Sequence, residues 1–183
     1  MQSHRRRRAA RGVKLIEAAI VVAVTVIVAS AAMPAFGAFI ETRRLDGVAT
    51  QLATDLRQAR AEAMQRGSGL RVTLQRAAWG SCYVIHTGSA TQCRCDEHGP
   101  AACDGPARAL KTVQLPARDR IALESNVASM RFDPLHGTAT PAGTLKVVAA
   151  SGRAVHHVVN VLGRVRSCTP QLGVPAVPGW RGC

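Results

Sequence analysis

The chain has 183 residues, 47% of them hydrophobic, and a formal charge of +13. That length and apolar content suit one ordinary domain with an appended segment, and exclude a disordered or fibrous chain. Aromatic residues make up only 3%, which leaves little for a protein that would read nucleic acid by stacking on its bases.

The N-terminus opens with Arg5 to Arg8 and Arg11 and has no acid before Glu17. A charge-free run, Ala18 to Ile40, follows. As a helix it would be about 35 Å long, enough to cross a hydrocarbon core of about 30 Å. The positive-inside rule keeps the arginine flank in the cytoplasm and exports the C-terminal bulk. Ala29-Ser30-Ala31 would serve as the cleavage site of an ordinary secretory signal. Glu17 argues for something else, because a carboxylate at the head of a membrane helix needs a partner and a role. Cleavage after Gly12 would supply one, a new α-ammonium at Val13.

Pro34 removes one helical hydrogen bond and predicts a bend rather than a stop. From Glu41 to Arg66 the pattern turns amphipathic. Leu45, Val48, Leu52, Leu56, Ala59 and Ala63 recur at helical spacing, with Arg57, Arg60 and other charges on a solvated side. Gly67-Ser68-Gly69 reads as the C-cap of this helix. Strand patterns follow at Leu70 to Gln75, Cys82 to His86, Ala109 to Leu115, Ser129 to Phe132, Thr144 to Ala149 and Ala154 to Val161, separated by proline and glycine turns. His156 and His157 alternate faces, one toward the core and one exposed. The architecture expected is α+β: one long N-terminal helix packed on an antiparallel sheet.

Six cysteines on an exported chain read as disulfides. Cys168 and Cys183 bracket the tail, and pairing them closes a loop of about 16 residues. Cys82, Cys93, Cys95 and Cys103 cluster around one loop. Cys93 and Cys95 are too close to bridge each other, so each reaches Cys82 or Cys103, and the connectivity stays open. Zinc held by these cysteines with His86 and His98 is the alternative, although the spacing is no standard finger pattern.

Four further features carry a resemblance. Gly12, Glu17 at the fifth position after it and Pro34 at the twenty-second resemble a class III signal of type IV pilins. Asp55-Leu56-Arg57-Gln58-Ala59-Arg60-Ala61-Glu62-Ala63 resembles the helix end shared by GspH and FimT pseudopilins and minor pilins, and Phe132-Asp133-Pro134 with Gly137 resembles a second element of that group. Gly163-Arg164-Val165-Arg166 is similar to the GRxR signature of FimT proteins that bind DNA in natural transformation.

The resemblance implies a prepilin peptidase that cuts between Gly12 and Val13 and methylates the new amine. Glu17 would then compensate the Val13 amine of a neighbouring subunit during filament assembly. The family usually has Phe where this chain has Val13. Residues 1–12 become a cleaved cytoplasmic leader, 13–40 a membrane and filament-core helix, and 41–183 the exported pilin domain, first periplasmic and then on a pilus at the cell surface. Cleavage removes five arginines and leaves +8 of the +13.

The tail has its own chemistry. After Asp133 the chain holds no acid, while Lys146, Arg153, Arg164, Arg166 and Arg181 all lie there, and such imbalance points to an anionic partner. In an extended segment Arg164 and Arg166 project to one side about 7 Å apart, with Val165 turned inward. Guanidiniums suit forked contacts with phosphate. Gly163 permits a tight entry, and Lys146, Arg153 and Arg181 would lengthen the footprint if the fold brings them alongside. Trp180 is the one tail residue able to stack on a base. The expectation is non-specific binding of double-stranded DNA through its backbone. The competing expectation is a GspH-like pseudopilin of type II secretion, or a tip-initiating minor pilin, without DNA binding. No nucleophile elbow, His-Glu-x-x-His or framed carboxylate pair calls for an enzyme, and no cofactor is expected.

Overall fold

The computed structural model describes residues 14–183 apart from 172 and 174, and within it the side chains of 31–35 are not described. Gly12 and Val13, the expected cleavage site, lie outside the described residues. One helix, α1, runs unbroken over Leu15–Arg66 and passes through Pro34, whose side chain also lies outside the description. Glu17 is exposed near its start. Large apolar side chains from Leu15 to Val28 are exposed. Among the described residues no helix is long and apolar enough to cross a membrane. The charge-free run has described side chains only at 18–30 and 36–40, each shorter than the roughly 18 apolar residues that mark a span.

Residues 40–183 form a compact unit of their own. Here α1 buries Leu45, Ala49, Leu52, Leu56, Ala59 and Ala63, the stripe set by the helical period. The helix ends where its period does. Gly67 takes φ +61, its N–H reaches the carbonyl of Met64, and Ser68 N–H reaches that of Ala63. This pair of bonds is a Schellman cap, and it satisfies carbonyls the helix leaves open.

The strands are β1 (Leu70–Ala77), β2 (Gly80–His86), β3 (Cys93–Arg94), β4 (Ala102–Cys103), β5 (Ala109–Pro116), β6 (Ile121–Ser125), β7 (Ser129–Phe132), β8 (Ala139–Thr140), β9 (Gly143–Ala149), β10 (Ala154–Val159) and β11 (Val165–Cys168). All their pairings are antiparallel. They divide into two larger sheets, ordered β5-β2-β1-β7-β8 and β11-β10-β9-β6, plus the ribbon β3-β4. One core joins α1 to the inner faces of both sheets, with Leu70, Tyr83, Phe132, Leu145, Val155 and Val159 among its members.

All six cysteines are bridged, as Cys82–Cys95, Cys93–Cys103 and Cys168–Cys183. The first two fold the 88–107 loop onto the outer face of the first sheet, where Val84, Cys93 and Ala107 form a small second core. His86 is fully buried there. Its Nδ1 faces the carbonyl of Thr87 and its Nε2 the hydroxyl of Thr73, an arrangement that suits neutral imidazole, and burial lowers its pKa. Across the main core, buried Asp55 on α1 accepts from Tyr83 Oη at 2.6 Å and from Lys111 Nζ at 2.7 Å. A buried carboxylate with two charge-assisted partners ties the helix to the first sheet at one register.

Candidate nucleic-acid interface

Three stretches far apart in sequence meet at Arg60. Its Nε–H donates to the carbonyl of Gly137 at 2.8 Å. A side chain at Gly163 would strike that same carbonyl and Arg60, and Gly163 also takes φ +71, so only glycine fits. Gly137 is delivered by a tight turn. Asp133 Oδ1 accepts from the N–H groups of Leu135 and His136 at 2.9 and 3.0 Å, and the N–H of Gly137 closes on the carbonyl of Asp133. Those backbone donors, His136 first, hold the Asp133 carboxyl below its ordinary pKa.

The segment after Gly163 is shaped by Asn160. Its carbonyl accepts from Gly163 N–H, its side-chain oxygen accepts from Arg164 N–H, and its own N–H reaches the carbonyl of Arg164. The chain therefore enters β11 with Arg164 and Arg166 exposed and Val165 packed against the core. β11 lies at the edge of its sheet. Between that edge and α1 runs an open groove of about 620 Å³ lined by Arg57, Arg60, Asn160 and residues Gly163 to Arg166. Among the described residues, none of these four arginines forms an ion pair with a carboxylate. Helical period alone puts Arg57 and Arg60 on a merely solvated side. Only the tertiary fold sets them opposite the tail.

The other expected contributors are spread more widely. Lys146 shares the outward face of the second sheet with Arg166, two strands away. Its cross-strand neighbours are His156 and Glu124, so a carboxylate stands beside it, and burial and Lys146 lower the His156 pKa. Arg153 donates to the Thr42 hydroxyl. Thr42 precedes Arg57 by about 22 Å of helix, which places Arg153 at the far end of the sheet and outside the groove. Arg181 is exposed, and its carbonyl accepts from Thr169 N–H, about 10 Å along the chain from Arg166.

Trp180 is half-buried and held by the fold rather than free in the tail. Its indole N–H donates to Asp46 Oδ1 at 2.9 Å, and its ring meets the edge of His157 at 5.9 Å. The Cys168–Cys183 bridge and the pairing of Thr169 with Gly182 hold the tail in this position. His157 is fully buried, with Nδ1 against the Ser167 hydroxyl and Nε2 without a hydrogen-bond partner among the described residues. Burial, with Arg57 and His156 nearby, lowers its pKa to about 4.

The fold resembles that of the type IV minor pilin FimU of Pseudomonas aeruginosa strain PAO1. Its crystal structure in space group P21 matches with a TM-score of 0.50 at 19% identity, covering 73% of this chain and 97% of that one. A second crystal form, P65, gives 0.47 at 18% identity, covering 69% and 98%. No curated protein sequence matches the chain. The family model for the type II transport protein GspH matches residues 48–163, ending one residue short of Arg164. That match spans well over half the sequence and contains the helix end, the Phe132–Gly137 turn and Gly163 as one folded unit, so the chain belongs to the GspH family of pilin-like proteins.

Proposed function

We propose that this chain is a minor subunit of a type IV pilus that binds extracellular DNA for uptake in natural transformation. The observation that supports this most is the groove between α1 and β11, where four arginines form no ion pair with a carboxylate among the described residues. Guanidiniums in that number suit phosphate. With Trp180 occupied by Asp46, binding runs through the DNA backbone and ignores base sequence. Arg164 and Arg166 make the main contacts, Gly163 sets their entry, and Lys146 and Arg181 add weaker, more distant charge. Arg153 is occupied at Thr42 and contributes little.

The same proposal includes the route to the filament. The run 18–40 anchors the precursor in the inner membrane, prepilin peptidase cuts between Gly12 and Val13, and Glu17 then pairs with a neighbouring subunit's new amine. Pro34 bends the filament-core helix. Other pilins and minor pilins are the partners, and several copies raise the effective affinity of a weak site. Replacing Arg164 and Arg166 together by Gln is expected to abolish retardation of duplex DNA in a gel while thermal unfolding stays unchanged. Unaltered retardation by the folded double variant would remove the tail as the site.

The name of the matching family favours a second reading, a pseudopilin of type II secretion without a nucleic-acid role. A deletion strain separates the two: lost secretion with normal transformation supports the pseudopilin, and the reverse supports the DNA-binding pilin.

A further inference from the structure

The tail supplies only half of the charge in the groove. Arg57 and Arg60 stand three residues apart on α1, an arrangement of like charges that an isolated helix disfavours. The residues that could relieve Arg57 along the helix are Ala53, Thr54, Arg60 and Ala61, and none is acidic. The two acids nearest on α1 are engaged elsewhere, Asp55 by Tyr83 and Lys111 and Glu62 by Arg66. β11 then brings Arg164 and Arg166 to the opposite wall of the same groove. Concentrated charge of one sign in a cleft focuses potential and draws a counter-charge. Arg60 is already anchored at Gly137, whereas Arg57 is exposed and has no ion pair among the described residues.

We propose that α1 forms the second wall of the DNA site, with Arg57 contacting a phosphate across the groove from Arg164 and Arg166 and Arg60 holding the two walls in place. This rests on the DNA-binding reading above and adds to it a ligand from an element about 100 residues earlier in the chain. A site walled on both sides grips the sugar-phosphate strand itself, so unrelated duplexes bind alike.

The test uses the full chain in detergent and two unrelated fluorescent duplexes, with binding measured over about 50–200 mM salt. Arg57→Gln is expected to weaken both duplexes equally and to make the slope of log K against log salt shallower by about 0.9, the value of one lost phosphate contact. Arg57→Lys keeps the charge and is expected to retain the slope. Arg66→Gln, which removes a residue already paired with Glu62, is expected to bind like the unaltered chain. If Arg57→Gln leaves slope and affinity unchanged while Arg164→Gln with Arg166→Gln weakens binding, the helix wall is refuted and the tail site stands. If both variants bind like the unaltered chain, the tail site falls and this inference with it.

Discussion

Arg60 holds the carbonyl of Gly137 while its side chain lies against Gly163, so two glycines in loops 26 residues apart in the chain are closed on one guanidinium. Gly163→Ala would place a methyl group on that carbonyl in a left-handed backbone. Together the backbone strain and the overpacking are expected to cost at least about 2 kcal/mol, read as a lower thermal midpoint. DNA affinity should drop with it as Arg164 loses its entry angle. His157 makes a second claim at this scale. It is enclosed by Arg57 of α1, Ser167 of β11, Trp180 of the tail, itself bonded to Asp46, and its neighbour His156. Folded, it titrates near 4 rather than at its ordinary 6.5, so the unfolded chain binds the extra proton between those values. Its contribution is therefore present above pH 6.5 and lost as pH falls through 4, by about 3 kcal/mol. Urea midpoints at pH 7 and pH 4.5 should differ less in His157→Leu than in the unaltered chain, where His86 adds to the effect in the same direction.

Among the elements, α1 and β9 follow from hydrophobic period alone, because each buries one regular stripe or face, whereas β2 is buried on both faces. β6 does not stand out in the sequence. Its inward positions Ile121 and Leu123 are interrupted by a small Ala122, and it follows the charged turn Arg118-Asp119-Arg120. Missing β6 also hides the division into two sheets, since β6 closes the second one against β9. The groove was half legible. Arg164 and Arg166 stand out on spacing and an acid-free setting, whereas Arg57 and Arg60 are ordinary exposed helix residues until β11 folds opposite them. Nothing local to Trp180 shows that Asp46, 134 residues away, takes its indole N–H. The tail's hold on α1 depends on its bridge. Replacing Cys168 and Cys183 by Ser is expected to lower stability by about 3 kcal/mol in the chain-entropy model. Trp180 fluorescence should shift to the red as the ring leaves His157. An unshifted spectrum would mean that Asp46 and the core alone hold the tail.

At the scale of the whole molecule, charge is segregated along the chain. The acids lie at or before Asp133, and the groove takes its arginines from α1 and from the acid-free tail. Membership of the GspH family implies a subunit that assembles with other pilin-like chains, and α1 carries the exposed apolar surface on which such assembly would draw. On the proposed reading, α1 supplies both the assembly surface and one wall of the groove, and the C-terminal third supplies the other wall. The most direct test is made in cells, by counting transformants in a strain whose sole copy carries Arg164→Gln and Arg166→Gln, with pilus assembly checked alongside. Normal pili with transformation reduced to the level of a deletion strain is the expected result. Normal pili with undiminished transformation would contradict the account.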